Sequence, residues 1–282
     1  MRIKSQFAAL QTPVINSNRL HMNVLVSNDD GIHADGLWAL ARELDKIARV
    51  TVAAPDREQS AAGTAVTLWQ PLRTRKVRSQ VPGVVTFAVE GTPSDSVILA
   101  LGNLVKDNVD LVVSGINYGL NLGEDVYISG TVSAALQGYL HGHPALAISA
   151  ARENPETLEV AARLGALLAQ RIVAGLPDSN VFLNVNVPAV PLGELERIQV
   201  TRLANQSHIN TVTEGRDSKR AYYWLVRERL SHTGEKDTDM WAIDHNHISI
   251  TPVFTNRTGE ELSSLLDTLS AGLLEELKKA DE

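Results

Sequence analysis

The sequence predicts an α/β fold in which helices cover both faces of a parallel sheet, with an antiparallel β extension toward the carboxy terminus. Three observations carry this. Short apolar runs of strand length end in polar, glycine-containing loops. Amphipathic helix-length segments alternate with those runs as far as about residue 190, the pattern of a buried parallel sheet. Beyond that point β-rich segments follow one another without helices between them, as in antiparallel hairpins.

In chain order, residues 23–27 (NVLVS) form a buried strand that stops at the turn signal Asn28-Asp29-Asp30-Gly31. Leu37, Leu40, Ala41, Leu44 and Ala48 then recur at helical spacing, with Asp35 placed as N-cap. Residues 50–54 and 86–89 are strands, and Thr92-Pro93-Ser94-Asp95 opens a helix with capping-box spacing and proline at its first position. Residues 110–114 (DLVVS) make a strand, Thr131 starts a helix carried by Val132, Ala135, Leu136 and Tyr139, and residues 145–149 (ALAIS) make another strand. A helix over 157–174 and a strand over 181–187, stopped by Pro188, complete the alternation. Residues 198–203, 222–229 and 247–253 are the β-rich segments, and 260–279 is a helix whose leucine stripe (Leu262, Leu265, Leu266, Leu269, Leu273) is suited to docking on a partner surface.

Composition bounds the function. The 282 residues carry 26 Lys and Arg against 33 Asp and Glu, a formal charge of −7, which argues against a nucleic-acid duplex held by phosphate neutralisation. The absence of cysteine removes disulfides, thiolate metal sites and cysteine nucleophiles. No run approaches the ~20 apolar residues that span a bilayer, so no membrane partner is expected. The first 22 residues lack Asp and Glu, and their apolar cluster at 7–10 is too short for a secretory signal. Residues 1–21 read as an expression leader outside the fold, with Met22 as the natural start and a cytoplasmic location expected.

The chemistry is expected at the carboxyl ends of the strands, where open α/β sheets bind ligands. Asp29 and Asp30 close the first strand, and a turn there lets adjacent carboxylates converge as hard oxygen ligands for Mg²⁺ or Mn²⁺. Taken alone, Asp-Asp-Gly is also a solvated capping pair; its place on the ligand edge favours the metal. Three polar loops fall on that edge: residues 55–63 with Ser60, 114–119 with Asn117, and Ser129-Gly130-Thr131. Ser-Gly-Thr opening a helix offers free backbone N–H groups, two hydroxyls and the positive dipole end, a phosphate cradle. Asn117 is equally a turn residue, and Thr131 an ordinary N-cap.

Five motifs in order, VSNDDGI (26–32), APDREQS (54–60), GTPSD (91–95), VSGINYG (113–119) and SGTVSAA (129–135), make the chain similar to the SurE family of stationary-phase survival proteins. The resemblance spans roughly Met22 to Val253. It implies a metal-dependent phosphomonoesterase acting on nucleoside 5′- and 3′-monophosphates by metal-activated water; the alternative is a phosphatase acting mainly on polyphosphate or non-nucleotide esters. By position, one divalent ion per subunit would be held by Asp29, Asp30, Ser60 and Asn117. Asn117, Ser129, Gly130 and Thr131 would hold the phosphate, Gly91 and Pro93 would wall the pocket, and Asp29, Asp30 and Asn117 would be catalytic. The resemblance also implies a Rossmann-like core over 22–190. Residues 191–282, with a β-hairpin, a closing strand and a terminal helix, the hairpin and helix exchanged between subunits, would build a homodimer or homotetramer.

One departure stands out. Many relatives carry a histidine shortly after the Asp237-Thr238-Asp239 segment, and this chain has Trp241 there, leaving His245 or His232 as substitutes. His33 is a candidate neighbour of the site, and His141, His143 and Arg57 read as structural or surface residues. A receiver-like regulatory domain would need a third Asp ending a central strand and a Lys ending a later one, and neither is present. A non-catalytic nucleotide-binding or assembly protein on the same fold would bind nucleotide without metal-dependent turnover.

Overall fold

The computed structural model describes residues 22–152, 156–175, 181–206, 209–217, 220–227 and 235–253. A nine-stranded sheet runs through it in the order β3-β4-β2-β1-β5-β6-β7-β11-β8. Its strands are β1 (Asn23–Ser27), β2 (Arg49–Pro55), β3 (Thr74–Lys76), β4 (Val85–Val89), β5 (Leu111–Tyr118), β6 (Ala145–Ala150), β7 (Phe182–Val187), β8 (Arg197–Val200) and β11 (His247–Pro252). Strands β4, β2, β1, β5, β6 and β7 are mutually parallel, and β3 and β11 join them antiparallel. The inner strands are buried on both faces, so NVLVS, RVTVAAP and ALAISA read as near-continuous apolar runs. Helices α1 (Asp35–Asp45) and α4 (Glu156–Gly175) pack together on one face, and α2 (Pro93–Leu99) and α3 (Gly130–Leu140) on the other. Leu37, Leu40 and Leu44 of α1, spaced for one helical stripe, lie in the main core with Val24, Val26 and Ile148.

Several expectations need correction. The N-cap of α1 is Ala34, in extended conformation without a side-chain bond, and Asp35 lies inside the first turn, where its charge faces the helix dipole. Helix α3 begins at Gly130, with Ser129 as N-cap accepting from the Val132 N–H. The β-rich segments do not all form appended hairpins. Strand β11 pairs with β7 and β8 pairs parallel with β11, so both complete the main sheet. Only β10 (Ala221–Arg227) lies in a hairpin, paired with β9 (Ile209–Arg216). A short helix α5 (Asp239–Asp244) stands just before β11. The leader over 1–21, the helix over 260–279 and His232 lie outside the described residues.

The chain leaves β1 toward β2 on one side and returns in β5 on the other, so the order reverses between β1 and β5. That switch point is where an open α/β sheet leaves a crevice beyond its carboxyl ends.

Candidate active site

The crevice is built by loops tied to one another. Buried Trp38 of α1 donates its indole N–H to the Ile32 carbonyl at 2.8 Å, seating the turn after β1 on the helix. The Ile32 N–H donates to the Pro55 carbonyl at 2.8 Å, and the Gln59 N–H to the Asp29 carbonyl at 2.7 Å, which draws the loop carrying Ser60 onto the carboxylates. The Gly63 N–H then donates to the Ile128 carbonyl at 3.0 Å, linking that loop to the approach to α3. In β5 the pairing with β6 advances two residues against one between Gly115 and Asn117, a bulge at the carboxyl edge. Bulges re-aim the residues that follow, here Asn117 and Tyr118.

Asp29 is 4% exposed and is aimed at the first turn of α3. Thr131 donates its hydroxyl to Asp29 Oδ1, and its backbone N–H also reaches the carboxylate. Gly130 makes this approach possible: a Cβ there would sit 2.7 Å from Asp29 Cβ and 2.9 Å from Oδ2. Burial raises the Asp29 carboxyl to about 6; Thr131 opposes the rise and the neighbouring Asp30 charge adds to it. Asp30 accepts from the Tyr118 N–H at 3.3 Å. Burial likewise raises its pKa; the Tyr118 bond and Arg152 offset this in part, and Glu58 adds to the rise.

The structure therefore brings Asp29, Asp30, Ser60, Asn117, Ser129, Gly130 and Thr131 to one end of the sheet. Ser60 is exposed and donates to Glu58 Oε1 at 2.7 Å. Asn117 donates Nδ2 to the Gly119 carbonyl at 2.6 Å, leaving Oδ1 as the acceptor open to a cation. Gly91 and Pro93 lie at the start of α2, beyond β4, two strands or ~10 Å from β1. Their motif does more than cap a helix. Asp95 accepts from the Thr92 N–H at 2.9 Å and from the Thr67 N–H and hydroxyl at 2.8 and 2.6 Å, while Thr92 Oγ1 donates to the Ala65 carbonyl at 2.7 Å. These bonds fasten the strap that continues from Ser60.

His33, three residues beyond Asp30, is exposed in the turn after β1, whereas His141, His143 and His245 stand apart from the carboxylates. His141 and His143 bond the Gln137 and Val109 carbonyls through Nδ1, at 2.7 and 2.9 Å. Trp241 stacks on His245 with ring centroids 3.8 Å apart, beside β11, four strands or ~19 Å from β1. A cleft of about 750 Å³ opens at the opposite edge, lined by Asn23, Asp45, Arg49 and Asp107. Among the described residues no group of three or more His, Cys, Asp and Glu converges, so an ion at the carboxyl edge would rest on two carboxylates and neutral oxygens. That donor set fits Mg²⁺ or Mn²⁺, because each carboxylate is destabilised as an anion by burial and a dication reverses the penalty.

The model of the "Survival protein SurE" family matches residues 24–210. The chain belongs to the SurE family. A relative from Dehalococcoides mccartyi strain CBDB1, named 5′-nucleotidase SurE, is 51% identical over 90% of this chain and 96% of its own length. One from Moorella thermoacetica with the same name is 44% identical over 89% of this chain and 98% of its own length. The crystal structure of the SurE protein from Aquifex aeolicus superposes with a TM-score of 0.75 at 34% identity, covering 90% of this chain and 99% of that one. Family membership and the α/β fold are thus established together. Tyr118, Arg152 and the Asp95–Thr67 tie went unread in the sequence, although Arg152, the second residue beyond the ALAISA strand, stands where the ligand edge was expected.

Proposed function

We propose that this chain is a divalent-cation-dependent phosphomonoesterase that hydrolyses nucleoside 5′-monophosphates, and 3′-monophosphates as further substrates, to nucleoside and inorganic phosphate. One observation carries the reading: a coupled carboxylate pair meets a glycine-opened helix N-terminus at the switch point of the sheet. The 5′-nucleotidase name of the relatives supports the substrate class. Asp29, Asp30, Ser60 and Asn117 would hold one Mg²⁺ or Mn²⁺ per subunit, which when bound polarises a phosphoryl oxygen and acidifies water. The first turn of α3, with the Ser129 hydroxyl, receives phosphoryl oxygens and stabilises the charge that develops on them. Thr131 fixes the orientation of Asp29, which accepts the proton of the attacking water. A phosphoryl group trapped on Asp29 during turnover would replace this route with a covalent one.

The test is phosphate release from nucleoside monophosphates, p-nitrophenyl phosphate and polyphosphate with Mn²⁺, Mg²⁺ or EDTA. Metal-dependent release favouring nucleotides is expected; release from polyphosphate alone, or none, contradicts the reading. The working unit is a homodimer or homotetramer built on the β9–β10 hairpin, where Tyr223, Trp224 and Leu225 are 63%, 66% and 75% exposed. Light scattering at several concentrations checks this, and a concentration-independent monomer contradicts it. No helix among the described residues is long and apolar enough to cross a membrane. A cytoplasmic location, where nucleoside monophosphates are met, belongs to the same reading.

A further inference from the structure

Arg152 lies just beyond β6, on the carboxyl edge beside β5, and is held from two sides. The Tyr118 hydroxyl donates to the Arg152 carbonyl at 2.8 Å, and Arg152 Nε donates to the Tyr118 carbonyl. The guanidinium carbon stands 5.7 Å from the centre of the Tyr118 ring. A long cationic side chain anchored at its own backbone and at Nε has already lost much of its rotamer freedom, the state expected of a preorganised binding group. The neighbouring Gly119 has φ +144°, so a residue with a side chain would be strained there, and a Cβ would lie 3.8 Å from Asn117 Nδ2 and 3.5 and 3.9 Å from Arg152 Nε and Nη2. The bare face of Gly119 is thus an opening bordered by an amide and a guanidinium, both hydrogen-bond donors. Only one N–H of the Asn117 amide is used by the Gly119 carbonyl.

We propose that Arg152 is a substrate-binding residue of this site, its guanidinium and the second N–H of Asn117 receiving a non-bridging phosphoryl oxygen over Gly119. The proposal rests on the phosphomonoesterase reading, which it deepens by naming the group that attracts the dianion. The need is electrostatic. One divalent ion only neutralises Asp29 and Asp30, and Glu58 adds a further negative charge nearby, so a phosphate dianion gains net attraction when Arg152 contributes its charge. An arginine fork suits phosphoryl oxygens in geometry as well as charge.

The test uses the full-length, Mn²⁺-loaded protein and its Arg152→Gln and Arg152→Lys variants. Binding of inorganic phosphate and of Mn²⁺ is measured by calorimetry, and KM and kcat are measured with 5′-AMP. Arg152→Gln is expected to weaken phosphate binding and raise KM by about tenfold, the loss of one charge-assisted contact, with kcat within about twofold, Mn²⁺ affinity unchanged or slightly higher because a cation beside Asp30 is gone, and Tm unchanged; Arg152→Lys recovers part of the loss. Unchanged phosphate affinity in Arg152→Gln overturns the proposal. So does a loss that comes with a lower Tm and is equal in Arg152→Lys, which would make Arg152 a clamp for Tyr118. If the wild type binds phosphate through Arg152 but releases none from 5′-AMP, the nucleotidase reading fails and this one stands. If 5′-AMP turnover is normal in Arg152→Gln, the reverse holds.

Discussion

Two buried aspartates lie near the same edge of the sheet, and burial raises the pKa of both, but their surroundings differ. Asp239, at the start of α5, is fully buried, and both its oxygens are spoken for: Oδ2 accepts from the Gly123 N–H at 2.8 Å, and Oδ1 from the Ala204 and Met240 N–H groups at 2.9 and 2.8 Å. Beside it Asn121 bonds Ser149, Asn184 and Asn186, so the neighbourhood is a polar rivet between the 120–123 loop and the outer strands. Asp29 is as deeply placed but has a second carboxylate as its neighbour and Thr131 as its donor. A carboxylate ringed by backbone N–H groups holds a fold together. One set next to another carboxylate carries surplus negative charge, which either a proton or a bound cation relieves.

The same substitution at the two positions separates them most sharply. Asp29→Asn should lower turnover of nucleoside monophosphates at least a thousandfold while leaving the metal-free fold as stable as the wild type or more so, because the amide still accepts from Thr131 and a buried charge is gone. Circular dichroism melts beside the phosphate assay check both halves, and a destabilised variant would show Asp29 to be structural.

Next in size is the pH dependence of stability without metal. Asp29 titrates near 3.8 unfolded and at about 6 folded, so its stabilising contribution is fully present below about pH 4 and is lost as pH rises through about 6. In EDTA this step amounts to about 3 kcal/mol. Mn²⁺ should raise Tm more as pH climbs above 6, and Asp29→Asn should flatten the EDTA profile; Tm curves from pH 4 to 8 decide it.

Asp239→Asn places an NH₂ against backbone N–H donors and should cost about 2–3 kcal/mol, with kcat of the folded protein changed by less than tenfold. Urea denaturation checks it, and a stable variant would remove the rivet. Smallest is Asp95→Ala, which loses the capping box and the Thr67 tie: about 1–2 kcal/mol, with a KM rise of a few-fold because the strap from Ser60 loosens.

Local physics made much of this legible in advance. The apolar runs of β1, β2 and β6 and the leucine stripe of α1 follow from burial on one or both faces, and the Thr92 capping box from residue chemistry at fixed spacing. Strand β3 was missed because TRK is exposed throughout and carries no apolar signal. Pairing partners were beyond reach for a different reason: β8 and β11 meet across about fifty residues, and no local pattern states that they join the main sheet. The candidate site divides the same way. Asp29, Asp30 and the Ser129–Thr131 turn announced themselves by type and position. The ties of Asp95 to Thr67, Tyr118 to Asp30 and Arg152 to Tyr118 join residues 28, 88 and 34 positions apart and exist only once the loops are folded together.

The most direct measurement is calorimetric titration of Mn²⁺ into the wild type, Asp29→Asn, Asp30→Asn and Asp239→Asn at pH 7.5. One ion per chain should bind to the wild type and to Asp239→Asn alike, with binding lost in the Asp29 and Asp30 variants. Binding that survives in both of those variants, or no binding to the wild type, would contradict the assignment of the carboxylate pair as the cation centre.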